Sequence, residues 1–265
     1  MINEEIQQYY DQFDSRLIND YIKSNKRVVT AIKRIIKLTS ATPSNKILDL
    51  GCGIGWSSNE ISNHFPKKNV LGLDLSQELI SIGKSLFNHH NLKLEQKNLM
   101  DNTIINESKY DIVSMIDVFE HIPKEDYLSF SKQLLNVLNI NFCIFFSCPT
   151  INTQNQLRLN NPTALQPVDE DIDEQVLKTF ASYMGANLVF YNDQFIWKEN
   201  DYLHAVITNY DIDIEILNNI DQGIKLETKI NKIKRIVWSS RRSFLYHQNF
   251  STKLIAFFVW LFRIK

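Results

Sequence analysis

The stretch Lys46–Gly55, KILDLGCGIG, decides how this chain is read. Ile47, Leu48 and Leu50 form a short apolar run around one carboxylate, Asp49, the pattern of a strand buried on both faces of a parallel sheet. Gly51, Cys52, Gly53, Ile54 and Gly55 follow as a turn. Its glycines admit left-handed dihedrals and close approach of backbone to a ligand. Ser57 and Glu60 stand at capping-box spacing, which predicts a helix just past the turn with free N–H groups aimed at whatever the loop holds.

Strands and helices alternate outward from this point. Strands are expected at 46–50, 69–74, 92–97, 111–116 and 140–147, with helices at 57–65, 76–90 and 123–138, the last with Pro123 in its first turn. Such a rhythm predicts a parallel sheet covered by helices on both faces. The interval 148–168 has no clear period and reads as a binding loop or lid. A helix from about 170 to 184 ends at Gly185, and 187–197 and 202–209 read as an antiparallel hairpin. Residues 1–40 carry Ile18, Ile22, Val29, Ile32 and Ile36 at helical spacing, and 211–265 also read as helical. The expected division is a helical lid at 1–40, a central domain at 41–210 and a basic extension at 211–265.

The 265 residues are 44% hydrophobic and 22% charged, a composition suited to a globular α/β domain with an appendage. The formal net charge of −1 hides an asymmetry, because ten Lys or Arg face the single Glu227 between Gln222 and Lys265. That polarity suits either an anionic partner or docking on the chain's own acidic part. Cys52, Cys143 and Cys148 lack metal-ligand or redox spacing and read as small core residues in a reducing, cytoplasmic setting. The acidic opening MINEEIQQYYDQFD lacks the apolar core of a secretory leader.

Two superfamilies use a strand, a glycine loop and a helix. The dinucleotide fingerprint wants glycine at the sixth loop position, which here is Trp56. Glycines at 51, 53 and 55 behind Asp49 instead resemble the first motif of class I S-adenosylmethionine (SAM)-dependent methyltransferases. YDIVSMIDVFEHIP (110–123) carries the same resemblance, being similar to the strand-four segment of small-molecule and quinone-type O-methyltransferases. The implied fold is a Rossmann-like seven-stranded sheet, six strands parallel and one antiparallel, with helical extensions at both ends.

The resemblance implies SAM as cofactor and assigns its site residue by residue. Asp49, Gly51, Cys52, Gly53 and Gly55 form the first loop, with Asp49 bonded to backbone or to a cofactor amine. Asp74 and Leu75 end the second strand, where a carboxylate accepts the hydroxyls of a ribose. Asn98 and Leu99 fall where adenine is read, and Asn98 stands where many relatives carry Asp. Ile116 and Asp117 lie beside the methionine moiety. His121 is the first candidate for a general base and His204 a distant second. Asp117, Glu120 and His121 could converge on a divalent metal, but no metal is assigned. Tyr9–Phe13 resembles an aromatic segment folded over the cofactor, with Tyr10 shielding the reacting centre.

The basic extension ends in KLIAFFVWLFRIK (253–265), whose apolar run of nine residues is too short to span a bilayer. Cationic flanks with Phe and Trp suit a helix in the membrane interface, so peripheral contact through 229–265 competes with intramolecular docking and a homodimer contact. Clustered aromatics argue against nucleic acid, which favours aromatics spread along a basic groove. The expected reaction is O-methylation of a small polar acceptor, foremost a surface-glycan sugar or its activated precursor. Quinone, aromatic or N-methyl transfer and a SAM-binding protein without turnover are the alternatives.

Overall fold

The computed structural model describes residues 9–98, 109–220 and 223–240. Helices α1 (Asp14–Lys23) and α2 (Lys26–Ala41) come first, and the Asn25 side chain caps α2 by accepting the Arg27 N–H. The central run is β1 (Lys46–Leu50), α3 (Trp56–His64), β2 (Asn69–Asp74), α4 (Gln77–Leu86), β3 (Leu92–Gln96) and β4 (Tyr110–Ile116). It continues with α5 (Tyr127–Val137), β5 (Leu138–Pro149), α6 (Ile151–Asn160) and α7 (Glu174–Tyr183). The hairpin β6 (Asn187–Gln194) and β7 (Tyr202–Thr208) follows, and α8 (Lys229–Ser240) closes the described chain.

The seven strands lie in the order β3-β2-β1-β4-β5-β7-β6, with β7 antiparallel to both neighbours. The chain runs outward from β1 through β2 to β3, then returns to β4 on the other side. The carboxyl ends of β1 and β4 therefore flank the point where strand order reverses, the place where open α/β sheets bind ligands. Strand β5 shows how the sequence builds both faces. Ile144, Phe146 and Cys148 enter one core with Phe119, Phe130 and Phe180, while Cys143 and Phe145 enter the other with Ile32, Ile35 and Ile36.

Several local expectations change. Ser57 caps nothing, because Gly55 is the N-cap of α3 and makes no side-chain cap bond. Pro123 precedes a short 3-10 turn, Lys124–Asp126, so the helix expected from 123 begins at Tyr127. The expected helix 76–90 stops at Leu86. The lid interval contains α6, which Thr150 caps by accepting the Thr153 N–H. Its sequence, INTQNQLRLN, has no apolar stripe and buries only Gln154, so periodicity could not reveal it. Residues 211–220 and 223–228 were expected to be helical, but they hold no α-helix beyond the 3-10 turn Glu215–Leu217. Gly185 ends α7 in the left-handed conformation, as its position predicts.

Helix α8 docks on the start of the domain. Lys232 is fully buried, its ammonium 4.1 Å from the Trp56 ring centre and 4.9 Å from that of Tyr21, and it donates to Ser24 Oγ. Glu227 gathers the rest: it accepts from Tyr21 and twice from Arg235, while its own N–H reaches both Glu60 carboxylate oxygens. No helix among the described residues is long and apolar enough to cross a membrane.

Candidate active site

The glycine loop is held from both sides. Gly51, Gly53 and Gly55 all have positive φ, and a Cβ on Gly51 would fall 2.3 Å from Val118 Cγ2. The Gly53 N–H donates to Asp74 Oδ2 at 2.7 Å, and the Ser76 N–H donates to Asp74 Oδ1 at 2.9 Å. Asp74 thus clips the loop to the start of α4. Burial pushes its carboxyl up to about 6, against the pull of those two N–H groups. Each oxygen keeps a further lone pair, so the clip is compatible with accepting ligand hydroxyls.

Asp49 lies beneath the loop. Its Oδ2 accepts from the Ser57 and Ser58 hydroxyls at 2.5 and 2.6 Å, and Oδ1 accepts from Ser114 on β4. Burial raises its pKa while the serine bonds oppose the rise. Its side-chain partners are these three hydroxyls. Asp49 anchors α3 and β4 to β1. Cys52 is buried in the same loop, and all three cysteines are free.

The end of β4 provides the facing wall. Asp117 follows Ile116 with φ +55, an uncommon value for a non-glycine residue, and its N–H donates to Ser147 O. Arg27 forms an ion pair with Asp117 Oδ2 and donates to the Tyr202 hydroxyl at 3.1 Å. Burial disfavours the guanidinium charge, but Asp117, Tyr202 and Asp20 outweigh it and raise the Arg27 pKa. Asp117 Oδ1 is buried without a partner. This pairing separates Asp117 from the metal cluster considered with Glu120 and His121. Among the described residues no three His, Cys, Asp or Glu side chains converge as a metal site.

His121 is tethered from both ring nitrogens. Nδ1 lies 2.7 Å from Val168 O and 3.3 Å from Asp169 Oδ1, and Nε2 lies 3.9 Å from Glu120 Oε1. Burial would lower its pKa, but Glu120, Asp169 and the Val168 carbonyl raise it overall. Glu120 is 2% exposed and its Oε2 has no partner. Its pKa is raised by burial, against the opposing pull of His121.

The N-terminal segment lies over these groups. The Tyr10 ring centre is 6.4 Å from that of His121, and Ser76 Oγ donates to Asp11. Leu17 Cδ1 reaches within 2.9 Å of where a Gly53 Cβ would stand. Leu75 is half-buried beside Asp74, and Asn98 is half-buried two residues past β3. Leu99 lies outside the described residues. His204 is sealed within the sheet opposite Ser147, and burial lowers its pKa well below the usual imidazole value. Arg27, Tyr202 and Ser114 were missed by sequence reasoning, since none belongs to a motif and the fold alone brings them to Asp117 and Asp49.

Comparison with known proteins agrees with this geometry. Residues 47–141 match a family described as a methyltransferase domain. The chain is 24% identical over 148 residues to a malonyl-[acyl-carrier protein] O-methyltransferase of Bacillus anthracis, covering 56% of this chain and 54% of the relative. It is 31% identical over 94 residues to a ubiquinone biosynthesis O-methyltransferase of Hydrogenovibrio crunogenus, covering 33% and 36%. The chain thus spans about half or less of these relatives. Magnesium protoporphyrin IX methyltransferase from Synechocystis PCC 6803, solved with bound S-adenosylhomocysteine (SAH), shares the fold at TM-score 0.60 and 16% identity, over 78% of this chain and 99% of that one. The chain thus carries a methyltransferase domain and shares the fold of the SAM-dependent methyltransferases.

Proposed function

We propose that the chain is a SAM-dependent O-methyltransferase acting on a small or carrier-bound acceptor. The observation that carries the reading is the clip between Gly53 and Asp74 at the strand-order reversal, facing the Ile116–Asp117 end of β4. These residues fit SAM. The left-handed glycines bring backbone close to a ligand, Asp74 retains lone pairs for ribose hydroxyls, and Asp117 Oδ1 is a buried acceptor without a partner. Asn98 and Leu75 would flank the adenosine. When bound, SAM supplies an electrophilic methyl group on a sulfonium. The protein's part is to orient the acceptor in line with that methyl and exclude water, with Tyr10, Asp11 and Leu17 covering the loop.

The relatives named above methylate oxygen, which supports an oxygen acceptor in this chain. None is named for a glycan, and no residue here selects a sugar, so a carboxyl or hydroxyl on an acyl carrier or quinone-like molecule is the better-supported class. Peripheral membrane contact rests on the sequence of 241–265, which lies outside the described residues. Liposome flotation of the intact chain against one ending at Ser240 tests it. Equal, negligible flotation of the two removes that reading.

Titration calorimetry with SAM and SAH, combined with a labelled-methyl assay on bacterial extract, tests the main proposal. Micromolar binding of both ligands and transfer of label to an extract fraction are expected. Failure to bind either one rejects it.

A further inference from the structure

We propose that Glu120, and not its neighbour His121, receives the proton released when the acceptor is methylated, and hence that the acceptor atom is a hydroxyl oxygen. This rests on the methyltransferase reading above and narrows its acceptor.

The tether on His121 decides its proton inventory. A backbone carbonyl can only accept, so Nδ1, at 2.7 Å from Val168 O, carries a hydrogen. The remaining lone pair, on Nε2, faces the Glu120 carboxylate at 3.9 Å, and Asp169 stands on the other side of the ring. Between two carboxylates the imidazole is held as a cation. A cation has no lone pair to take a proton, so His121 acts on its neighbour through its charge.

Glu120 has what His121 lacks. It is 2% exposed, at the carboxyl edge of β4, and Oε2 is buried without a hydrogen-bond partner. A buried carboxylate oxygen left unpaired in a native site calls for an explanation. The groups facing it come from five directions. His121 and Asp117 belong to its own turn, Cys148 to β5, Tyr127 to α5, Tyr202 to β7 and Tyr10 to the N-terminal segment. Asp117 and burial favour the protonated acid, while the His121 cation and the Cys148 thiol favour the carboxylate. These opposed influences leave a group that can change protonation near neutrality, as a general base must.

A lone pair of the acceptor hydroxyl forms the oxygen–carbon bond, and the methyl–sulfur bond breaks with its electron pair going to sulfur. The hydroxyl proton passes to Glu120 Oε2 and later to solvent. A carboxylate acceptor would have no proton to give and would need no base.

The test compares wild type with Glu120→Gln, Glu120→Asp and His121→Gln, using labelled methyl transfer to bacterial extract and to catechol or malonate as defined probes. Glu120→Gln should lower transfer by about 100-fold or more and abolish the acid limb of the pH profile, with SAM affinity changed less than about twofold. His121→Gln should move that limb to higher pH and lower transfer near neutrality, by less than Glu120→Gln does. Infrared titration gives an independent readout. A protonated-carboxyl band should titrate in wild type, vanish in Glu120→Gln, persist in Glu120→Asp and move to higher pH in His121→Gln.

Equal turnover of Glu120→Gln and wild type across the pH range overturns the base assignment and leaves the methyltransferase standing. So does loss of the acid limb only in His121→Gln, and so does a band unaffected by Glu120→Gln. Transfer to malonate but not catechol overturns the hydroxyl acceptor. Tight SAM binding by wild type with no transfer to any fraction removes the enzymatic reading and the base with it.

Discussion

Lys232 places its ammonium 4.1 Å above the ring of Trp56, the residue immediately after the last glycine of the loop. The contact ties α8 to the segment that shapes the candidate cofactor site. Burial lowers the Lys232 pKa while Glu60 and Glu227 oppose the shift, and Tyr21 and Ser24 complete the surroundings. Truncation removes both the cation–π contacts and the packing of the methylene stem. Lys232→Ala should therefore cost roughly 2 kcal/mol of unfolding free energy, and Lys232→Met less than half of that. Urea denaturation of the two variants checks the order. Hydrogen exchange should show faster opening at Trp56 in Lys232→Ala, and unchanged exchange there would sever the helix from the loop.

Asp49 accepts three serine hydroxyls, from Ser57, Ser58 and Ser114. Asp49→Ala leaves all three buried donors without their acceptor and opens a cavity, at an expected cost of about 3 kcal/mol. Ser114→Ala removes one donor while the carboxylate keeps two, so about 1 kcal/mol is expected. Denaturant midpoints test this ranking. If Ser114→Ala proved the costlier change, Asp49 would not be the hub of the network.

How much of this was legible in sequence depends on range. Strands β1, β2 and β4 carry short apolar runs whose pattern is local, and their ends fixed the positions of Asp74 and Asp117. The Arg27–Asp117 pair joins residues 90 positions apart in the chain, and nothing near Arg27 distinguishes it from the other cations of α1 and α2. Ser57 shows the limit from the other side. Its spacing from Glu60 matched a capping box, but the buried Asp49 carboxylate captured the hydroxyl instead. Glu60 was drawn to the Glu227 N–H, a partner 167 positions away. Periodicity reports the environment of an element, whereas the partner of a buried polar group is set by topology.

Gly51 is constrained twice, by φ +61 and by Val118 Cγ2 lying 2.3 Å from where a Cβ would sit. Gly51→Ala should destabilise the protein by about 2–4 kcal/mol through strain and overlap together. Val118→Ala opens space for the methyl but leaves the dihedral strained. The double variant should recover part of the loss, about 1 kcal/mol of coupling, and not all of it. A double-mutant cycle in urea gives that number directly. Full additivity of the two changes would mean that Val118 does not pack on the loop.

Asp74 connects the loop to pH. Its folded-state pKa is raised to about 6 from an ordinary 3.8, chiefly by burial. A raised carboxyl favours the protonated native state, so its stabilising contribution is complete below the unfolded value and is lost as pH rises through 6. For this group alone the loss between pH 3.8 and neutrality should approach about 3 kcal/mol. Asp74→Asn is neutral throughout, but its Oδ1 can serve only one side of the clip while its NH2 confronts the other donor, a cost independent of pH. The wild-type advantage over Asp74→Asn should therefore shrink by about 3 kcal/mol from pH 4 to pH 7. Ribose hydroxyls donating to the carboxylate would favour its charged form. SAM should accordingly bind wild type more tightly at pH 7.5 than at pH 5, and Asp74→Asn should lose that dependence. Urea titrations at several pH values and calorimetry at two measure both effects, and a stability difference flat in pH would show that Asp74 does not carry the proton assigned to it.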